Sequence, residues 1–142
     1  MLGYPFKPML QAIEDKGGVD AVAEVKRRAG VPPEKTYRMN EIYADEECQR
    51  LFAAAGDVLA LRLQETCDLW AEMFLQDTRK RFPVWYQMCA NSREFLEYQP
   101  KIHHGFATGL QDSKASQAVT DKFRLEKLEQ ELIVHYLSLI HI

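Results

Sequence analysis

Helix-breaking residues cut the first two-thirds of this chain into helix-length pieces, and that punctuation limits the fold more than any other feature. Met9 to Lys16 is apolar-periodic and is stopped by Gly17-Gly18. Val19 to Ala29 follows, with Val22, Val25 and Ala29 on one face, and it ends at Gly30 and Pro32-Pro33. Tyr37 to Tyr43 reads as extended or irregular. Asp45 has the chemistry of an N-cap for a helix over Glu46 to Ala55, closed by Gly56. Cys67, Trp70 and Phe74 recur at helical spacing from Gln64 to Arg81, where Phe82-Pro83 ends the run. The next helix is predicted from about Val84 to Tyr98. Pro100 then suits the first turn of another, Lys101 to Leu110.

The pattern changes after residue 110. Gln111 to Thr120 is small and polar, the composition of a connecting loop. Phe123 to Ser138 is ambiguous by periodicity. Leu125, Leu128 and Leu132 are spaced for a helix, whereas Leu132-Ile133-Val134-His135-Tyr136 has the β-branched and aromatic content of a strand. Helices first and strands last predict an α+β fold, an N-terminal helical bundle followed by an antiparallel β-sheet. The expected plan is one domain over 1–142: helical 1–110, a loop at 111–120 and sheet structure at about 122–138. The terminal Leu137-Ser138-Leu139-Ile140-His141-Ile142 looks like translated sequencing-adapter read-through and is expected not to be native.

Bulk chemistry excludes several functions. A formal net charge of -3 provides no basic footprint for nucleic acid. Lys26-Arg27-Arg28 and Arg79-Lys80-Arg81 fall at predicted helix C-termini, where cations complement the dipole. Cys48, Cys67 and Cys89 form no C-x-x-C pair and are odd in number, so buried thiols in a reducing compartment are expected. The N-terminus lacks a signal-peptide pattern, and no apolar run reaches the roughly 18 residues of a membrane span, which makes the cytoplasm the default. No catalytic constellation is apparent. Glu46-Glu47, Glu126, Glu129 and Glu131 read as solvated charges, and Glu-x-x-His is absent, so an enzyme is not expected.

Four histidines are present: His103, His104, His135 and His141. Helical phase separates the adjacent pair. His103 shares a stripe with Leu96, Gln99, Phe106 and Leu110, whereas His104 shares one with Glu97 and Lys101. An imidazole on an apolar stripe needs a partner: a carbonyl, a water or a metal. Haem iron is one such partner, because it accepts a single axial imidazole while the porphyrin covers the surrounding apolar surface. A hydrogen-bonded core histidine is the plain alternative.

The segment Phe95-Leu96-Glu97-Tyr98-Gln99-Pro100-Lys101-Ile102-His103 resembles the proximal helix of the haem nitric oxide/oxygen-binding (H-NOX) family, the sensor domain of soluble guanylate cyclase. Further stretches are similar in the same order: Met1-Leu2-Gly3 through Gly30, Glu41 to Phe52, Leu69 to Phe74, and Phe82-Pro83. His135-Tyr136-Leu137-Ser138 resembles the start of the family's Y-x-S-x-R motif, which binds the haem propionates. The resemblance also implies that Phe123–Leu128 and Glu131–Tyr136 pair as a β-hairpin.

The resemblance implies haem b as cofactor and His103 as the iron ligand. It implies Tyr136 and Ser138 at the propionates, with Phe6, Met9 and Phe74 lining the haem cavity. Trp70 and Trp85 read as core. Function would be sensing of nitric oxide, or of oxygen, followed by signalling to a histidine kinase, a cyclase or a chemotaxis protein. Nitric oxide weakens the trans iron–histidine bond in this family, and the proximal helix moves. Three departures stand against the pattern. Ile140 occupies the arginine position, Pro100 lies near the ligand, and the proline-rich stretch after the histidine helix is absent. The missing arginine, Pro100 and an expected truncated sheet favour the alternative of a haem-free interaction module.

Overall fold

The structure, a computed structural model, describes residues 2–111, 113–121 and 123–136, with the side chains of Ala115, Ala118, Phe123 and Tyr136 outside that description. Eight elements follow one another: α1 (Phe6–Arg28), α2 (Asp45–Val58), α3 (Leu63–Arg81), α4 (Pro83–Gln87), α5 (Ser92–Ala107), α6 (Ser113–Thr120), β1 (Phe123–Lys127) and β2 (Leu132–Tyr136). The chain expected as one domain divides into two compact units, Met1–Thr78 and Arg79–Ile142. Among the described residues no helix is long and apolar enough to cross a membrane.

The first unit is built on apolar burial. Phe6, Met9, Ile13, Val25 and Leu51 lie at its centre with almost no exposed surface. Burying side chains of this size contributes about 1.5–3 kcal/mol each. Gly18 breaks α1 into the two helical runs expected from the sequence, at φ 78° and ψ 179°. That left-handed, extended geometry is one that glycine adopts without steric cost. Gly3 serves a different purpose: its N–H donates to the Glu41 carbonyl, and a Cβ there would collide with the carbonyl of Arg38.

Two expectations for α2 are corrected. Ala44 holds the N-cap position without a side-chain cap, and Asp45 is the first helical residue. Asp45, Glu46 and Glu47 place three acids in the first turn, where the dipole favours them. Gly56 does not stop the helix, which runs on to Val58. Its missing side chain instead admits Thr66 from α3, whose Oγ1 would lie 3.1 Å from an added Cβ.

The packed stripe of α3 keeps Trp70 and Phe74 and takes Thr66 in place of the expected Cys67. Thr66 and Thr78 are buried, Trp70 and Phe74 are half-buried, and Cys67 is exposed. Only Cys48 of the three thiols is fully buried, and Cys89 is intermediate. Both threonines return their hydroxyls to their own helix, Thr66 to the Arg62 carbonyl and Thr78 to those of Phe74 and Leu75. A polar residue is thereby accommodated on a packed face.

The second unit departs further from the sequence expectation. The helix predicted over Val84 to Tyr98 is interrupted after Gln87, and α5 begins at Ser92 and continues through Pro100 to Ala107. The cause is an N-terminal cap. The Asn91 side chain accepts from the Glu94 N–H at 3.0 Å, and the Glu94 carboxylate accepts from the Ala90 N–H at 2.8 Å. Pro100 removes one intrahelical donor, and the carbonyl that loses it belongs to the solvent-exposed Leu96.

The expected loop at 111–120 is largely helix, α6. Val119 is buried, and the Ser116 hydroxyl donates to the Ala107 carbonyl at 3.1 Å, so a mostly polar segment gains helical order by docking on α5. The ambiguous C-terminal stretch is an antiparallel hairpin with Leu125 opposite Val134 and Phe123 opposite Tyr136. Strand propensity prevails over the helical leucine spacing because pairing satisfies the backbone of both segments.

Candidate functional site

The candidate ligand helix is α5, in the second unit. Its cap fixes where the helix starts and so sets the phase of every residue along it. His103 is half-buried and His104 is exposed, the asymmetry expected from their stripes. Along the His103 stripe, Gln99, Phe106 and Leu110 are half-buried, and Leu96 is 40% exposed. Ile102 and Ala107, beside that stripe, are buried.

α5 is tied to the hairpin by polar contacts. The Arg93 guanidinium donates to the carbonyls of Leu128 and Glu131, which flank the hairpin turn. Glu97 lies between Arg93 at 3.2 Å and Lys127 at 2.6 Å. Hydrogen bonding from Lys127 is the main reason the Glu97 carboxyl titrates below its ordinary range. On the hairpin, His135 faces Glu126 at 3.1 Å, so this histidine has a carboxylate partner.

The remaining candidates have separate placements. Tyr136 ends β2, and Ser138, Ile140 and His141 lie outside the described residues. Phe6 and Met9 are buried in the core of the first unit. The Phe6 ring stacks on Tyr37 at 4.1 Å and meets Tyr43 edge-on. Phe74 is half-buried and packs edge-to-face with Tyr4, whose hydroxyl donates to Asp77 at 2.7 Å. Trp70 packs against Phe52 in the same unit, and Trp85 belongs to an aromatic cluster in the second.

Glu47, expected to be a solvated charge, is a partly buried hub. Lys35 reaches it at 2.6 Å and the Tyr37 hydroxyl at 2.7 Å. Burial pushes its carboxyl up, but the two hydrogen bonds and the Lys35 charge outweigh that effect and hold it below the ordinary value. The sequence carried no local signal for this group, because its members come from the irregular segment and from α2. The Asn91 cap, in contrast, was visible as Asn-x-x-Glu ahead of an apolar run.

The donor chemistry around His103 decides what metal species it could take. Among the described residues there is no group of three His, Cys, Asp or Glu side chains able to hold an ion. A bare zinc or iron ion would need such a group. A half-buried imidazole with no neighbouring group of His, Cys, Asp or Glu ligands among the described residues suits a metal that arrives with its other ligands, as in haem. The residues present therefore fit a haem at His103.

Comparison with known proteins agrees with the fold and the helix order. The Haem-NO-binding family profile matches residues 2–139. No curated protein sequence gives a significant match. Among solved structures, a Tt H-NOX double variant aligns with a TM-score of 0.66 at 18% identity, over 88% of this chain and 62% of that one. An oxygen-binding H-NOX domain related to soluble guanylate cyclases, in its oxygen complex, aligns at 0.63 and 18% identity, over 80% of this chain and 60% of that one. This chain thus spans about three-fifths of the length of both. A structure from work on haem distortion in the H-NOX family aligns at 0.65 and 13% identity, over 100% of this chain and 98% of that one. With a profile match covering nearly its whole length, the chain belongs to the Haem-NO-binding family.

Proposed function

We propose that the chain is a haem-based gas sensor in which His103 ligates the iron and nitric oxide is the signal. Membership of the family supports haem binding in general. The observation that carries the choice of ligand is the contrast within one helical turn: His103 is half-buried on a stripe with Phe106 and Leu110, and His104 is exposed. Haem b, when bound, would supply an iron able to take up a diatomic gas. His103 would hold that iron through its imidazole, and α5 would carry any displacement of the side chain. Tyr136 and Ser138 contribute hydroxyls to the propionates, and Phe6, Met9 and Phe74 shape the apolar wall of the cavity. Oxygen is the competing ligand, as in the solved oxygen-binding relative. The receiver of the signal is a histidine kinase, a cyclase or a chemotaxis protein.

A haem titration of the purified protein tests this reading. Wild type is expected to give a stoichiometric Soret band that His103→Gly loses and added imidazole restores. His104→Gly should leave the band unchanged. Absence of stoichiometric haem in wild type would overturn the proposal and favour the haem-free interaction module, the reading to which Ile140 at the motif's arginine position points. Exposing the ferrous protein to nitric oxide and to oxygen in turn separates the two gases.

A further inference from the structure

The second unit carries an open groove, of about 330 Å³, that the sensor reading does not use. It runs between α4 and α5 and is lined by Val84, Trp85, Met88, Tyr98, Lys101, Ile102, Gly105 and Phe106. Tyr98, Lys101, Ile102 and Gly105 lie off the stripe of His103, and Phe106 is shared between that stripe and the groove. The floor is already ordered. Trp85 stacks on Phe82 at 4.0 Å, and Phe106 meets both rings edge-on at 5.4 and 5.8 Å. The walls expose unusually large apolar residues, Val84 at 51% and Met88 at 56%.

One formal charge stands in this lining. The Lys101 ammonium lies 5.2 Å from the centre of the Tyr98 ring, and no carboxylate among the described residues forms an ion pair with it. An aliphatic and aromatic trough with a single cation at its margin is complementary to a molecule with a hydrocarbon body and one negative end. The volume falls near the lower limit of small-molecule sites, which suits a single medium-length chain better than a helix or a folded partner. Because the aromatic floor is held by its own stacking, little ordering would be required on binding. We propose that this groove is a binding site for an amphipathic carboxylate of fatty-acid type, with its carboxylate on Lys101 and its chain over Trp85 and Phe106.

Calorimetric titration of the full chain with decanoate, decanol and decyltrimethylammonium tests the site. Decanoate should bind most tightly, with decyltrimethylammonium weakest. Lys101→Gln should weaken decanoate about fivefold and leave decanol unchanged. Gly105→Leu should abolish decanoate binding by filling the trough. A Cβ at Gly105 meets no heavy atom within 4 Å, and leucine is the better helix former, so the fold should survive, which circular dichroism would verify. His103→Gly and the haem-loaded protein should bind decanoate as the unloaded wild type does. The proposal fails if decanol binds wild type as tightly as decanoate, or if Gly105→Leu still binds. It fails equally if haem displaces decanoate, because the carboxylate would then be occupying the haem cavity. The comparison of decanoate with decanol and the Gly105→Leu arm test the groove whether or not the gas-sensing reading holds, and the haem arm rests on that reading.

Discussion

The two units reach order by different means. In the first, Phe6, Ile13, Val25, Cys48 and Leu51 are all but sealed from solvent, and α1 and α2 close on them. In the second, the buried apolar residues among those described are Ile102, Ala107 and Val119. There the elements are joined by a helix cap, aromatic stacks and the grip of Arg93 on the hairpin carbonyls. Core burial is non-directional and tolerant of detail, whereas caps and ion pairs act only at particular atoms. The candidate ligand thus sits on the more loosely cored unit, where local opening needs less free energy.

Four predictions probe that difference, beginning with the largest effect. Phe6→Ala should cost about 3–5 kcal/mol in urea unfolding, with the loss concentrated in the first unit. A loss below about 1 kcal/mol would mean that the core is not the main source of order there. Pro100→Ala should stabilise the second unit by about 1–3 kcal/mol, because it restores a donor to the Leu96 carbonyl. Slower amide exchange across α5 is the measurement, and unchanged exchange would show that the missing bond has no energetic consequence. Asn91→Ala should cost about 1 kcal/mol and speed exchange at Glu94 and Phe95 while leaving α1 unaffected.

The fourth prediction concerns acid. Glu47 titrates below its ordinary value in the folded protein, so its contribution is complete above the unfolded carboxylate range. The contribution should fade as pH falls through that range and then through the lower folded value. Glu47→Gln should therefore flatten the acid limb of a stability profile of the first unit. Glu97→Gln, at a half-buried site in the second unit, should change that limb least. Equal slopes in wild type and Glu47→Gln would remove the Lys35–Glu47–Tyr37 group from the account.

What the sequence disclosed follows the same division. Helical phase is enough to separate the half-buried His103 from the exposed His104, whereas β-branched content left Leu132–Tyr136 ambiguous and the family resemblance implied the strand that forms there. Gly17-Gly18 marked a real break. Other features depended on distant partners. Gly56 resembles a stop until Thr66 is seen beside it. The polar α6 is a loop by composition and a helix because Val119 docks. Glu47 became a hub through Lys35, twelve positions away along an irregular segment. At the α4–α5 boundary Asn91-x-x-Glu94 prevails over Pro100, because a cap determines where a helix begins and an interior proline need only weaken it.

Pro100 has a mechanical consequence. A helix that lacks one rung of its hydrogen-bond ladder is less stiff at that point, and proline is where helices most often bend. α5 can therefore be regarded as two rods in series. Arg93 and Asn91 clamp the first to the hairpin and the cap, and the second bears His103 three residues past the compliant joint. A force applied at the imidazole would be absorbed first as flexure at Pro100, before it strains the clamped end.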